Sequence, residues 1–156
     1  MSPALRLVVF TIDERRYALK LETVERIVRV VDIDPLPKAP GIVLGVVNVR
    51  GTIMPVVNVR KRFNVPEREL ELSDELILAR AGPRALALVV DAVIGVVELS
   101  ESEATPAAAI LPGLAYVEGV ARLEGGLTFI HDLNTFLSLE EARALEAAMP
   151  LQGDEP

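Results

Sequence analysis

The chain of 156 residues reads as an all-β protein made of two small five-stranded β-barrels followed by a short C-terminal α-helix. Three observations predict this. Sliding the sequence by 74 positions lays Gly45 to Phe63 on Gly119 to Leu137, so that Gly45 meets Gly119, Val46 meets Val120 and Gly51 meets Gly125. Sliding it by 69 lays Tyr17 to Val30 on Leu86 to Leu99, pairing Ala18 with Ala87, Leu19 with Leu88, Val24 with Val93 and Val28 with Val97. Two matches in the same order mark a duplicated unit. The apolar residues also fall into short β-branched runs bounded by turn residues, which is strand patterning. Finally, five strands within roughly 70 residues are too few for an open sandwich and suit a closed barrel, which removes sheet edges.

Taken in order, Leu5 to Ile12 is an apolar run broken only by Arg6 and Thr11, as expected of a strand buried on most of both faces. Asp13 to Arg16 turns the chain, and Tyr17, Leu19 and Leu21 alternate with Ala18 and Lys20 to complete a hairpin. One helical turn near Thr23 is expected to pass into a strand from about Ile27. Pro35, Pro37 and Pro40 forbid regular structure from Asp34 to Gly41.

The next hairpin, Val46 to Val49 and Ile53 to Val59, turns at Arg50, Gly51 and Thr52. Pro55 cannot donate to a ladder, so its strand is expected at an edge or bulged. Arg60 to Arg62 is a basic cluster that reads as a solvated turn or, alternatively, as a patch for an anionic partner. Pro66 to Asp74 is an acidic linker and the expected boundary between the halves.

Glu75 to Arg80 and Ala85 to Val90 flank Ala-Gly-Pro-Arg as a further hairpin, and Val93 to Leu99 is the following strand. Ser100 to Gly113 is expected to be irregular, either a contact surface or a spacer. A last hairpin turns at Glu124, Gly125 and Gly126. Ser138 and Glu141 form a capping box opening a helix from Leu139 to Met149, with Leu139, Ala142, Leu145 and Met149 as its inward stripe and Pro150 as its stop.

Composition restricts function. Sixteen Lys and Arg against 23 Asp and Glu give a net charge of −7, which repels phosphate backbones and argues against nucleic acid. Cysteine is absent, excluding disulfides and thiol chemistry. The N-terminus lacks a basic flank and apolar signal core, and Ala85 to Val90 is far short of the roughly 20 residues that span a bilayer. A cytoplasmic protein without membrane insertion is expected.

Candidate catalytic groups are sparse. The single histidine, His131, stands where the first half has Val57 and reads as a polar residue on a half-buried strand, with no metal site expected. None of the five serines sits in a nucleophile elbow. No glycine pattern cradles a phosphate, and no cofactor is expected. Asp91, with Glu22 as its repeat partner, reads as a turn-orienting acid ahead of any acid/base role. An enzyme is not expected; a surface that recognises other proteins is.

The residues Gly45-x-x-Asn48-x-Arg50-Gly51-x-x-x-Pro55-Val56-x-x-x-Arg60-x-x-Phe63 resemble the signature of the CheW family, the chemotaxis coupling proteins. Similarity continues through Leu88-Val89-Val90-Asp91-x-Val93-x-x-Val96-Val97-x-Leu99 and covers about residues 5 to 138. The resemblance implies a CheW-like domain over 1–138 made of two SH3-like barrels, the first over roughly 13–72 and the second over roughly 73–138, packed on a shared apolar seam. An N-terminal strand, 5–12, can cross into the second barrel, and a helix (139–149) and tail (150–156) follow.

It further implies an adaptor that links transmembrane chemoreceptors to the histidine kinase CheA, recruited to the inner face of the membrane through the receptors. Val24, Ile27, Val28, Arg50, Val96 and Val97 are the candidates for a groove that accepts the receptor's cytoplasmic helical hairpin. Ordinary core is the alternative for the valines, and a tie between the barrels the alternative for Arg50. Ile33, Leu36, Val43 and Gly45 are the candidates for docking the kinase's regulatory domain. A CheW-like scaffold in another kinase pathway, such as surface motility or development, and a double barrel enclosing a small ligand are the competing readings.

Overall fold

Each of the two sheets draws strands from both halves of the sequence. The computed structural model describes residues 4–106, 117–123 and 126–149. In chain order these form β1 (Ala4–Ile12), β2 (Arg15–Lys20), β3 (Val24–Arg29), β4 (Val43–Val49), β5 (Thr52–Val57), the short helix α1 (Val59–Arg62), β6 (Glu75–Ala81), β7 (Arg84–Val90), β8 (Ala92–Ser100), β9 (Ala104–Pro106), β10 (Val117–Leu123), β11 (Gly126–His131) and α2 (Leu139–Ala148). One sheet runs β8-β1-β2-β11-β10-β9 and the other β3-β6-β7-β5-β4.

The all-β class and the C-terminal helix are as the sequence predicts, but the strands are dealt out differently. The first hairpin, β1–β2, lies in the sheet of the second half, and β6–β7 lies in the sheet of the first. The crossing of β1 is what the resemblance allows, but β2 goes with it and β6–β7 go the other way, so the expected bounds of roughly 13–72 and 73–138 do not describe the sheets. The physical reason is burial on two sides. In β1, Leu7 and Val9 fill the interior of the six-stranded sheet, whereas Phe10 and Ile12 face the core shared with the other sheet. In β7, Ala87 fills the five-stranded interior while Leu86, Leu88 and Val90 face the shared core. Strands that are apolar on both faces belong in the middle of the molecule.

Both sheets curl. Val28 of β3 and Val47 of β4, from opposite edges, meet in one interior, and so do Leu99 of β8 and Ala121 of β10 in the other. The duplication extends to the register. The parallel pair Val56–Ala87 becomes Ile130–Ala18 under the same shifts of 74 and 69 that align the sequence. The bulges coincide as well: one residue, Leu44, is passed over between β4 and β5, and Ile94 and Glu25 are passed over at equivalent points in β8 and β3. The single bridge between Asp34 and Val46 is the counterpart of the Thr105–Val120 pair that gives β9 its place as a sixth strand.

Several local expectations change. The strand expected from about Ile27 starts at Val24, immediately after a 3-10 turn over Leu21–Thr23. Pro55 sits in an inner strand, not at an edge. It is tolerated because it opposes Val46, whose N–H and C=O both go to Asp34, so β4 asks no donor of it, and the parallel pairing with β7 begins only at Val56. Within the expected irregular stretch from Ser100 onward, a 3-10 turn and β9 form, and residues 107–113 lie outside those described. Glu124 and Gly125 of the expected turn and the tail from 150 also lie outside them. In α2 the capping box of Ser138 and Glu141 forms, Leu145 is buried and Met149 packs on the shared core, but Leu139 is exposed.

Gly45 is dictated by the Asp34 crossing: a Cβ there would lie 2.2 Å from the Asp34 carbonyl oxygen. Gly51, with a φ of +87°, has nothing within 4 Å of the same position. Gly45→Ala is therefore expected to cost about 2 to 3 kcal/mol through backbone overlap, against about 1 kcal/mol for Gly51→Ala, which meets only left-handed strain. Urea denaturation of both variants checks this, and an equal loss would contradict it.

Candidate partner-binding surface

The signature stretch is mostly occupied with holding itself together. At the β4–β5 tip, Arg50 (φ 53°) and Gly51 (φ 87°) take the two successive left-handed conformations that a two-residue hairpin turn demands. Asn48 steadies the turn by accepting the Gly51 N–H at 2.8 Å. Asn58 caps α1 by accepting the Lys61 N–H and donates to Glu67 at 2.7 Å. Phe63 stacks on His131 with ring centroids 4.1 Å apart and meets Tyr17 and Phe136 edge-on or tilted. All four phenylalanines of the chain lie in or against the shared core. His131 is buried there, on the aromatic cluster, and not half-buried as its strand position suggests.

The basic cluster at Arg60 to Arg62 is not a solvated turn. Arg60 donates to both carboxylate oxygens of Asp91 at 3.0 Å and to the Pro66 carbonyl at 2.8 Å, with Asp13 at 3.6 Å, and Arg62 pairs with Glu141 of α2. Asp91 also accepts the Asp13 N–H and a hydrogen bond from Arg68. This acid orients a turn, as its place after β7 suggests, and it does so across the two sheets.

Beside this cluster lies a cavity of about 250 Å³, lined by Ile33, Leu44, Leu70 and Val89 together with the paired charges. Arg68 donates to Asp74 at 2.7 and 3.0 Å, and the Glu71 N–H completes the carboxylate's bonding. Burial alone would raise the Asp74 pKa; the Arg68 hydrogen bonds and charge, with the Glu71 N–H, outweigh it and hold the carboxyl below its ordinary value. Glu141 is likewise held low: the Ser138 N–H and the Arg62 charge outweigh its burial. The Arg68 guanidinium is raised, chiefly by its Asp74 bond. Polar groups bonded to one another in this way do not converge on a ligand, and exposed Leu44 and Leu70 put the cavity at the surface, not within a barrel.

The six expected receptor residues separate into two sets. Val24 packs against the shared core, Val28 fills the five-stranded interior and Val97 the six-stranded one. Ile27, Val96 and Arg50 are exposed. Ile27 stands opposite Ile77, and Val96 opposite Val8, so each extends the seam-facing side of its sheet to an unpaired edge. Val24 and Val93, their neighbours on β3 and β8, both rest on the shared core. Arg50 makes no side-chain hydrogen bond or ion pair with the described residues, so the expected alternative, a tie between barrels, finds no bond here.

Of the four expected kinase-docking residues, Val43 and Gly45 are buried, and Ile33 and Leu36 are half-buried against the cores. The exposed large apolar side chain in that stretch is Leu44, 40% accessible at the bulge of β4. Ile94, 49% accessible, is exposed at the bulge of β8. Both fall on the exposed phase of the burial alternation along β4 and β8, yet sequence reasoning singled out neither; Gly45 and Gly95, each following the bulged residue, were the available signal. Among the described residues no group of His, Cys, Asp and Glu could hold a metal ion, and no helix is long and apolar enough to cross a membrane.

Carboxyls held low in the folded state add stability above their unfolded values, near pH 4, and that contribution is lost as the pH falls through the folded ones. Asp74→Asn is expected to cost about 1 to 3 kcal/mol at pH 7 and to flatten the decline in stability between pH 5 and pH 3. Denaturation midpoints across that range test this; an unchanged slope in the variant would count against it.

A family model described as the CheW-like domain matches residues 6–141. The chain is 29% identical over 146 residues to the chemotaxis protein CheW of Treponema pallidum, covering 90% of this chain and 86% of that one. It is 35% identical over 94 residues to the chemotaxis protein CheW of Thermotoga maritima, covering 60% and 62%, and 27% identical over 148 residues to Protein FrzA of Myxococcus xanthus, covering 90% and 89%. The crystal structure of scaffolding protein TtCheW from Thermoanaerobacter tengcongensis matches it with a TM-score of 0.80 at 28% identity, covering 90% of this chain and 96% of that one. With the signature residues placed as above and the family model spanning nearly the whole chain, this protein belongs to the CheW-like domain family of chemotaxis coupling proteins.

Proposed function

We propose that the chain is a non-catalytic adaptor that couples transmembrane chemoreceptors to the histidine kinase CheA, held at the inner face of the membrane by the receptors it binds. The observation that carries this is Arg50. It occupies a left-handed conformation that costs a non-glycine residue about 1 kcal/mol, it is exposed, and it bonds to nothing else described. A charged side chain kept at such a cost without internal return is suited to an external contact.

The receptor's helical hairpin lies along the seam-facing edges of β3 and β8, its apolar stripe against Ile27, Val96 and the partly covered Val24, while Val28 and Val97 hold those strands from the barrel interiors and Arg50 pairs a carboxylate beside it. The kinase's regulatory domain docks on the five-stranded barrel around Leu44, Ile33 and Leu36, on a strand shaped by Val43 and Gly45.

Calorimetric titration with a recombinant cytoplasmic hairpin of a methyl-accepting chemoreceptor tests the receptor contact. Arg50→Glu is expected to weaken binding by roughly tenfold and to leave the unfolding midpoint unchanged, since no internal bond is lost. Unaltered affinity in a folded variant would remove Arg50 from the contact surface.

A further inference from the structure

The charges around the cavity beside the β4 bulge are not evenly matched. Two guanidinium groups serve four carboxylates: Arg60 donates to Asp91 and has Asp13 at 3.6 Å, and Arg68 donates to Asp74 and Asp91 and has Glu71 at 3.7 Å. A fifth acid, Glu67, lines the same cavity and meets no cation among the described residues. Its Oε1 accepts the Asn58 side-chain N–H at 2.7 Å, and its Oε2 accepts nothing from them. Five carboxylates against two guanidinium groups leave the cluster three negative charges in excess. Much of the remaining lining is apolar, with Leu44 40% and Leu70 46% exposed beside Ile33 and Val89. At about 250 Å³ the cavity is smaller than the roughly 300 Å³ at which sites for drug-sized ligands begin, and of the order of one long side chain.

We infer that this cavity receives one lysine or arginine side chain of the kinase's regulatory domain, its aliphatic stem against Leu44, Leu70 and Ile33 and its cationic head on Glu67. This rests on the reading of the β4 side as the kinase site. A long basic side chain carries both halves of what the lining asks for, an apolar body and a positive tip. The head takes the open Oε2 of Glu67, so no bond already present is broken. A wholly apolar side chain would instead cover Glu67 and strip water from a carboxylate left with a single neutral hydrogen bond. An acidic one meets the excess negative charge and is rejected. A second copy of this chain is disfavoured as occupant by a net charge of −7 on each molecule.

The test titrates the full chain with the recombinant regulatory domain of CheA at several salt concentrations. Glu67→Gln, whose amide oxygen still accepts from Asn58, is expected to bind roughly tenfold more weakly, with a shallower salt dependence and an unchanged unfolding midpoint. Leu70→Ser is expected to weaken binding severalfold while keeping the wild-type salt dependence. Alanine replacement of the exposed lysines and arginines of the kinase domain then finds the partner: one of them is expected to lose as much as Glu67→Gln and to lose little more when the two are combined. Wild-type affinity in Glu67→Gln, or a scan in which no basic residue is coupled to Glu67, overturns the inference and leaves the adaptor reading standing, since the domain still binds. Self-association of the chain that Glu67→Gln abolishes would give the cavity to a second copy and overturn it equally. If the wild-type chain does not bind the domain at all, the kinase assignment falls and the inference with it.

Discussion

The constraint on which the rest of the structure depends is that four strands, β1, β2, β6 and β7, are apolar on both faces. Each must be covered twice, once by its own sheet curling over it and once by the other sheet. The shared core records this, bringing Phe10, Ile12, Tyr17 and Leu19 from one hairpin against Ile77, Leu86, Leu88 and Val90 from the other. A duplicated chain whose two halves each closed on themselves would leave one face of each hairpin in water. Exchanging the hairpins satisfies all four strands, and the concentration of all four phenylalanines at the seam supplies the large side chains that a chain without tryptophan has for that layer.

That arrangement decides what is left over for function. Because the double-sided strands occupy the middle, β3 and β8 are pushed to unpaired edges and β4 to a third, covered in part by the Asp34 crossing. The signature residues divide accordingly. Asn48, Asn58, Arg60 and Phe63 brace the hairpin, the short helix and the seam, which is why the motif is so specific without marking a reactive centre. Arg50 is the one charged member of the motif turned away from all of this. The bulged residues Leu44 of β4 and Ile94 of β8 are left exposed, one on each sheet.

Much of this was legible in the residues. The duplication, the strand runs, the β4–β5 turn and the capping box of Ser138 all follow from short-range patterns, and the register of the parallel pairs reproduces the two sequence shifts. What local pattern could not supply was partnership at a distance. Nothing in Arg60-Lys61-Arg62 says that Asp91 and Glu141 will neutralise two of the three, 31 and 79 residues away. Nothing in Pro55 says that Val46 will aim its polar groups at Asp34. The acidic linker looked like a boundary between domains because it separates the repeats, yet Arg68 within it is tied to Asp74 and Asp91 and lies against the barrel. The continuous apolar runs at Leu5 to Ile12 and Ala85 to Val90 were the clue to the exchange: a run buried on both faces needs a neighbour on each.

On the adaptor reading proposed above, separate surfaces serve separate partners: the seam-facing edges of β3 and β8 for the receptor and the five-stranded barrel around Leu44 for the kinase. The most direct measurement is sedimentation of the purified chain with the regulatory domain of CheA and the cytoplasmic hairpin of a chemoreceptor, alone and together. The account predicts a complex containing all three, with neither partner displacing the other. Competition between the two for the chain, or failure of both to bind, would contradict it.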